Sequence, residues 1–106
     1  MTEDRAEHLA QHDPEVLIAE LEAATMTVHE LTFAAEIAGR RIVTSPRLVT
    51  ALLKLLDHTN SVVREGAIYG LSYHLGASGV RAWLGVVAAR DPSPSVRSAA
   101  LEALEP

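Results

Sequence analysis

Cysteine is absent from this chain of 106 residues, which excludes disulfide staples, thiolate metal sites and a thiol nucleophile. Aromatic residues supply only 4% of it, too few for a β-sandwich, whose strands draw on aromatic and β-branched side chains. No apolar run approaches the roughly 20 residues that a membrane-spanning helix requires. No basic segment followed by an apolar stretch opens the sequence, so nothing marks it for secretion, and a soluble, cytoplasmic protein is expected. A surplus of positive charge is missing as well. The net charge is −5, and the basic footprint of a phosphate-binding protein is not there.

What remains is a composition suited to helices packed through small side chains. Hydrophobic residues make up 48% of the chain, mostly Ala, Leu and Val, and the length is enough for a single continuous core. Charge is unevenly placed. Residues 1–30 carry eight acids against Arg5 alone, a net −7, whereas residues 31–106 carry eight Lys or Arg against six acids, a net +2. An acidic end of this kind can steer a basic partner or simply be a solvated helix face.

Helix signals recur along the chain. Residues 1–12 read as a frayed segment or as a short helix through Ala6 to Gln11. Asp13-Pro14 is a capping residue followed by a proline suited to a first turn. Thr27-Val28-His29-Glu30 has the form of a capping box, flanked by Met26 and Leu31 in the positions of a hydrophobic staple. The helix it opens is expected to run to about Ala38, with Gly39 near its end. Ser45-Pro46 repeats the start signal. Further helices are expected at Val62–Leu75, at Val80–Ala89 and from about Val96, separated by turns at Asp57–Ser61, Gly76–Gly79 and Asp91–Ser95.

Self-comparison gives the sharpest signal. Val63-Arg64, Ala67 and Leu71 recur as Val96-Arg97, Ala100 and Leu104 at an offset of 33, with Asp57 and Asp91 upstream at an offset of 34. Before each Asp sits another apolar helix, in which Val49, Leu52 and Leu53 align with Trp83, Val86 and Val87. On that alignment Trp83 belongs to the core. Val, Ala and Leu on successive turns form one apolar stripe, which a single hairpin cannot cover, so neighbouring hairpins must stack.

This pattern resembles the HEAT repeat family, in particular the short bacterial HEAT-like repeats also found in phycobilin lyases. The resemblance implies an all-α fold, a short α-solenoid of stacked antiparallel helical hairpins. The expected organisation is one domain over residues 1–106, with a degenerate or capping hairpin at 13–39 and repeats at 45–75 and 79–106. It also implies a structural ladder of Asp57, Arg64, Asp91 and Arg97, in which Asp57 meets Arg97, or Arg64.

Chemistry is hard to place on the remaining residues. His8 and His12 share a helix face but have no evident third metal ligand. No nucleophile elbow, phosphate-cradling loop or dinucleotide fingerprint is present, and the serines sit where helices need caps. No catalytic residue, metal or cofactor is expected. The arginines Arg40, Arg41, Arg47, Arg64, Arg81, Arg90 and Arg97 keep a nucleic-acid-binding reading open against the acidic balance, although Arg40 has Glu36 one turn back as a partner.

Protein binding is the preferred reading. With Val63, Ala67, Gly70 and Leu71 turned inward, Glu65, Tyr69, Ser72 and Tyr73 face outward or sideways, with Ser98, Glu102 and Glu105 as counterparts. In HEAT-like arrays such second helices line the concave, partner-holding side. Tyr69 and Tyr73, one turn apart, would be an aromatic anchor. The partner-binding set is therefore Glu65, Tyr69, Ser72, Tyr73, Ser98 and Glu102. Neutralisation of a basic toxin or enzyme, as by an immunity protein or inhibitor, is an alternative. A homodimer through the C-terminal repeat is a further one, because an uncovered apolar end favours self-association.

Overall fold

The computed structural model describes residues 1–106 and contains seven α-helices and no strand. In chain order they are α1 (Glu3–His12), α2 (Pro14–Ala23), α3 (Val28–Arg41), α4 (Pro46–Leu55), α5 (Ser61–Leu71), α6 (Val80–Arg90) and α7 (Pro94–Leu104). Two layers result. One holds α2, α4 and α6, and the other holds α1, α3, α5 and α7, with hairpins α2–α3, α4–α5 and α6–α7 joining them. This is an α-solenoid, as the internal repeat implies. A single cluster of buried apolar side chains runs from Ala6 in α1 to Ala100 in α7.

Capping explains where most helices begin. The Thr27 hydroxyl accepts from the Glu30 N–H at 3.2 Å, and the Glu30 carboxylate accepts from the Thr27 N–H at 3.0 Å, so the reciprocal box is complete. Glu30 also receives the Met1 ammonium; that bond and those to Thr27 hold its carboxyl down at about 2. Ser45 and Ser93 each accept from the backbone three residues on, ahead of Pro46 and Pro94. Asp13 differs from expectation. It closes α1 through its N–H to the Leu9 carbonyl at 2.8 Å while also opening α2, and its side chain makes no capping bond.

Three boundaries differ from those read in the sequence. The N-terminal segment is a ten-residue helix rather than a frayed end, because Ala6, Leu9 and Ala10 are buried and α1 packs on α3 and α2. α3 continues through Gly39 to Arg41. α5 stops at Leu71 rather than Leu75. There the Ser72 hydroxyl donates to the Tyr69 carbonyl at 2.6 Å, satisfying an acceptor that another helical turn would use.

Gly39 is a packing residue. A Cβ added to it would lie 2.2 Å from the Cα of Gly70, and one added to Gly70 would lie 2.5 Å from the Ala35 carbonyl oxygen. The α3 and α5 backbones therefore touch, with no room for a side chain between them. The segment after α5 is tied to the same place by the buried His74. Its Nε2 lies 2.6 Å from the Gly39 carbonyl oxygen and its Nδ1 lies 2.5 Å from the Thr44 hydroxyl. A neutral ring satisfies both, with Nε2–H donating to the carbonyl and Nδ1 accepting from the hydroxyl.

Candidate functional site

The Arg–Asp ladder has a single rung. Arg64 donates from Nε and Nη2 to the two carboxylate oxygens of Asp91 at 2.9 and 3.0 Å, while its Nη1 reaches the carbonyls of His58 and Thr59. Burial by itself raises the Asp91 carboxyl. The Arg64 bonds, the Ser93 N–H and the charges of Arg64 and Arg97 outweigh it and hold the group below the ordinary aspartate value. Arg64 on α5 thus reaches forward to the turn of the next hairpin.

Asp57 pairs with neither Arg97 nor Arg64; it is exposed. The hydrogen bonds show why. Arg64 Nη1 contacts the His58 carbonyl as Arg97 Nη1 contacts the Asp91 carbonyl, and the Asn60 N–H donates to the His58 ring as the Ser93 N–H donates to Asp91. His58, not Asp57, stands where Asp91 stands in the next unit. His58 and Asp91 keep the offset of 33 that relates Arg64 to Arg97, whereas matching the two aspartates requires an offset of 34. One unit earlier Leu31 and Thr32, the residues at and beside the arginine position, carry no charge, and the Thr32 hydroxyl donates to the Val28 carbonyl at 2.7 Å. Both members of that rung are therefore replaced together, and a neutral His keeps the turn without a buried, unpaired carboxylate.

Ion pairing also sorts the acids of the surface. Glu7 on α1 takes Arg40 at 2.6 Å and Arg41 at 2.9 Å, clamping α1 to the end of α3. Arg47 on α4 takes Glu15 and Glu22 of α2 at 2.5 and 2.7 Å. Arg40 thus belongs to Glu7 rather than to Glu36. Much of the excess negative charge of the first 30 residues is consumed within the fold. Among the acids left without a cation are Glu36 on α3, Glu65 on α5 and Glu102 on α7, on three successive helices of one layer; Glu3, Asp4, Asp13, Glu20, Asp57 and Glu105 are unpaired elsewhere.

Glu36, Glu65 and Glu102 all lie near enough to Tyr69 for their charges to act on it. Its ring is 45% exposed, and its phenol is raised above the ordinary value first by partial burial and then by the negative charges of Glu65, Glu102 and Glu36. One aromatic side chain thus sits among carboxylates contributed by three successive helices of one layer. Ser98 and Glu102 are exposed on α7 and Glu65 is half-buried on α5. Tyr73 is 57% exposed but lies beyond the end of α5, so it does not continue the Tyr69 stripe by one helical turn. Ser72 is half-buried and engaged with the Tyr69 carbonyl, which takes it off the exposed face.

The opposite layer carries a surface that the repeat alignment concealed. Trp83 is 54% exposed, although its aligned residue Val49 is 6% exposed. α4 and α6 touch only lightly, leaving a groove of about 270 Å³ lined by Leu53, Leu56, Trp83, Val86 and Val87 together with Thr50, Lys54 and Asp57. Unequal exposure of the two first helices could not be read from their equal apolar content.

No group of three or more His, Asp or Glu side chains is placed to hold a metal ion, and no helix is long and apolar enough to cross a membrane. Compared with protein-family models, residues 14–105 match the model for HEAT repeats. No curated protein and no solved structure matches the chain. The stacked hairpins, the Arg64–Asp91 rung and the family match over nearly the whole length agree, and the chain belongs to the HEAT repeat family.

Proposed function

We propose that this protein is a non-catalytic, cytoplasmic binding module that holds a cationic protein segment on the face formed by α3, α5 and α7. The observation that carries this reading is Tyr69 set among Glu36, Glu65 and Glu102, none of which has an internal cation. An aromatic ring offers its face to a guanidinium or ammonium group, and the carboxylates supply charge-assisted hydrogen bonds. Ser98 and Glu102 extend the contact onto α7, the exposed Tyr73 stands beside it beyond the end of α5, and Ser72 holds the Tyr69 backbone carbonyl. A basic toxin or enzyme is one partner with the required chemistry. Nucleic acid is disfavoured, since phosphates would meet uncompensated carboxylates.

Affinity capture from the native source, read by quantitative mass spectrometry, tests the proposal. The wild type is expected to enrich a partner whose bound region is rich in Lys or Arg, and to lose it as salt is raised. The double variant Tyr69→Ala, Glu65→Gln should retain its helical circular dichroism and capture at least about tenfold less. Unchanged capture by that variant would rule out this face.

A further inference from the structure

The outermost helices α1 and α7 differ in how their apolar residues are covered. At the N-terminal end α1 lies on α3 and is clamped to it by Glu7, Arg40 and Arg41. At the other end nothing covers the outer side of α7. Ile68 on α5 and Leu101 on α7 are equivalent by the offset of 33, yet Ile68 is 0% exposed and Leu101 is 56% exposed. Arg97 is likewise the equivalent of Arg64. It repeats the bond to the turn carbonyl, at 2.7 Å. Its Nε and Nη2, the groups with which Arg64 grips Asp91, engage no carboxylate.

We infer that α7 pairs antiparallel with α7 of a second copy of this chain, about a two-fold axis passing beside Leu101. Self-complementarity points to that occupant. Arg97 lies four residues before Leu101 and Glu105 four residues after it. An antiparallel pair centred on Leu101 therefore sets Arg97 of each copy against Glu105 of the other, so two ion pairs flank one apolar contact. Arg97 also comes to the C-terminal end of the opposing α7, where the open backbone carbonyls favour a cation. Leu101 meets its own copy, and the half-buried Leu104 adds to the seam. Only one helix per chain takes part, so the interface is small and the association weak. The seam shares α7 with the Tyr69 face, which includes Ser98 and Glu102, but Glu105→Arg alters the seam without touching Tyr69 and Tyr69→Ala alters the face without touching Leu101, so the two proposals are tested separately.

Sedimentation velocity between about 10 µM and about 1 mM is the test, a range suited to a small interface. The wild type is expected to move from monomer toward dimer. Glu105→Arg alone and Arg97→Glu alone each set like charges opposite one another and should weaken association at least about tenfold. An equimolar mixture of the two variants restores both ion pairs across a mixed dimer and should associate again. Glu105 is exposed and makes no side-chain bond, so its variant stays informative even if loss of the Arg97 bond to the Asp91 carbonyl perturbs folding. A wild type that stays monomeric throughout would overturn the inference. So would association indifferent to Glu105→Arg, or two monomeric variants, both shown folded by circular dichroism, that fail to pair when mixed.

Discussion

Gly39→Ala is expected to destabilise the protein by about 2–3 kcal/mol, the cost of forcing atoms into a filled interface. The added methyl would stand 2.2 Å from Gly70 Cα and 2.5 Å from the Gly70 carbonyl carbon. Those are backbone atoms, so no rotamer change relieves the clash and α3 must move away from α5. Neighbouring contacts forbid a local adjustment. A Cβ on Gly66 would lie 2.7 Å from the Thr32 carbonyl oxygen, so the close approach spans more than one turn of each helix. Spreading the helices also separates Glu36 from Glu65 and Tyr69, so partner capture should fall with stability. The same substitution at Gly85, where an added Cβ meets nothing within 4 Å, should instead stabilise by about 0.5–1 kcal/mol, through helix propensity and a less flexible unfolded chain. Urea denaturation followed by circular dichroism compares the pair. Equal effects of the two alanines would contradict the packing account.

Arg64→Ala is expected to cost more, about 3–5 kcal/mol, because it leaves the Asp91 carboxylate in place without its cation. The two side chains are 11% and 6% exposed, so water cannot substitute for the guanidinium. Removing the charge as well should recover part of the loss. Arg64→Met combined with Asp91→Asn is expected to be more stable than Arg64→Met alone, since Asn retains an acceptor for the Ser93 N–H. The pH dependence has a definite sign. In the wild type the Asp91 carboxyl is depressed in the folded state. Its contribution is complete above the unfolded value of about 3.9 and is lost as pH falls through the lower folded value. In Arg64→Ala the bonds and charge of Arg64 no longer oppose burial and the folded value rises, so protonation relieves the variant first. The stability gap between the two proteins should close as pH falls below about 4. A gap that widened on acidification would contradict the ion-pair account.

Local rules carried the sequence reading as far as they act. The Thr27–Glu30 box and the Ser45-Pro46 start depend on neighbours within one turn, and both form as written. Val63 and Val96, placed as equivalent by the repeat, are both 0% exposed. What was hidden depends on partners distant in sequence. Gly39 near a helix end has the appearance of a terminator, and only the nearness of Gly70 makes it a contact point. His58 could not be identified as the stand-in for Asp91 while Asp57 was available one position away. Nothing near His74 in the sequence indicates that Gly39 and Thr44 close around it. Trp83 looked like core because its aligned residues are core.

The charge pattern shows the same division. Composition revealed an acidic N-terminal third, but not that Glu7, Glu15 and Glu22 are engaged by Arg40, Arg41 and Arg47. Those pairs staple helices together and are surface interactions of modest individual worth. Their functional effect is subtractive. They leave Glu36, Glu65 and Glu102 without an internal cation, and the proposed binding of a cationic segment rests on those three.

Titration of the 15N-labelled protein with an arginine-rich peptide, followed by backbone amide shifts, addresses the placement of the binding face most directly. The shifts are expected to concentrate at Glu36, Glu65, Tyr69, Ser98 and Glu102, and to vanish in Tyr69→Ala. Shifts centred on the Trp83 and Val86 groove, or no shifts at all at low salt, would contradict it.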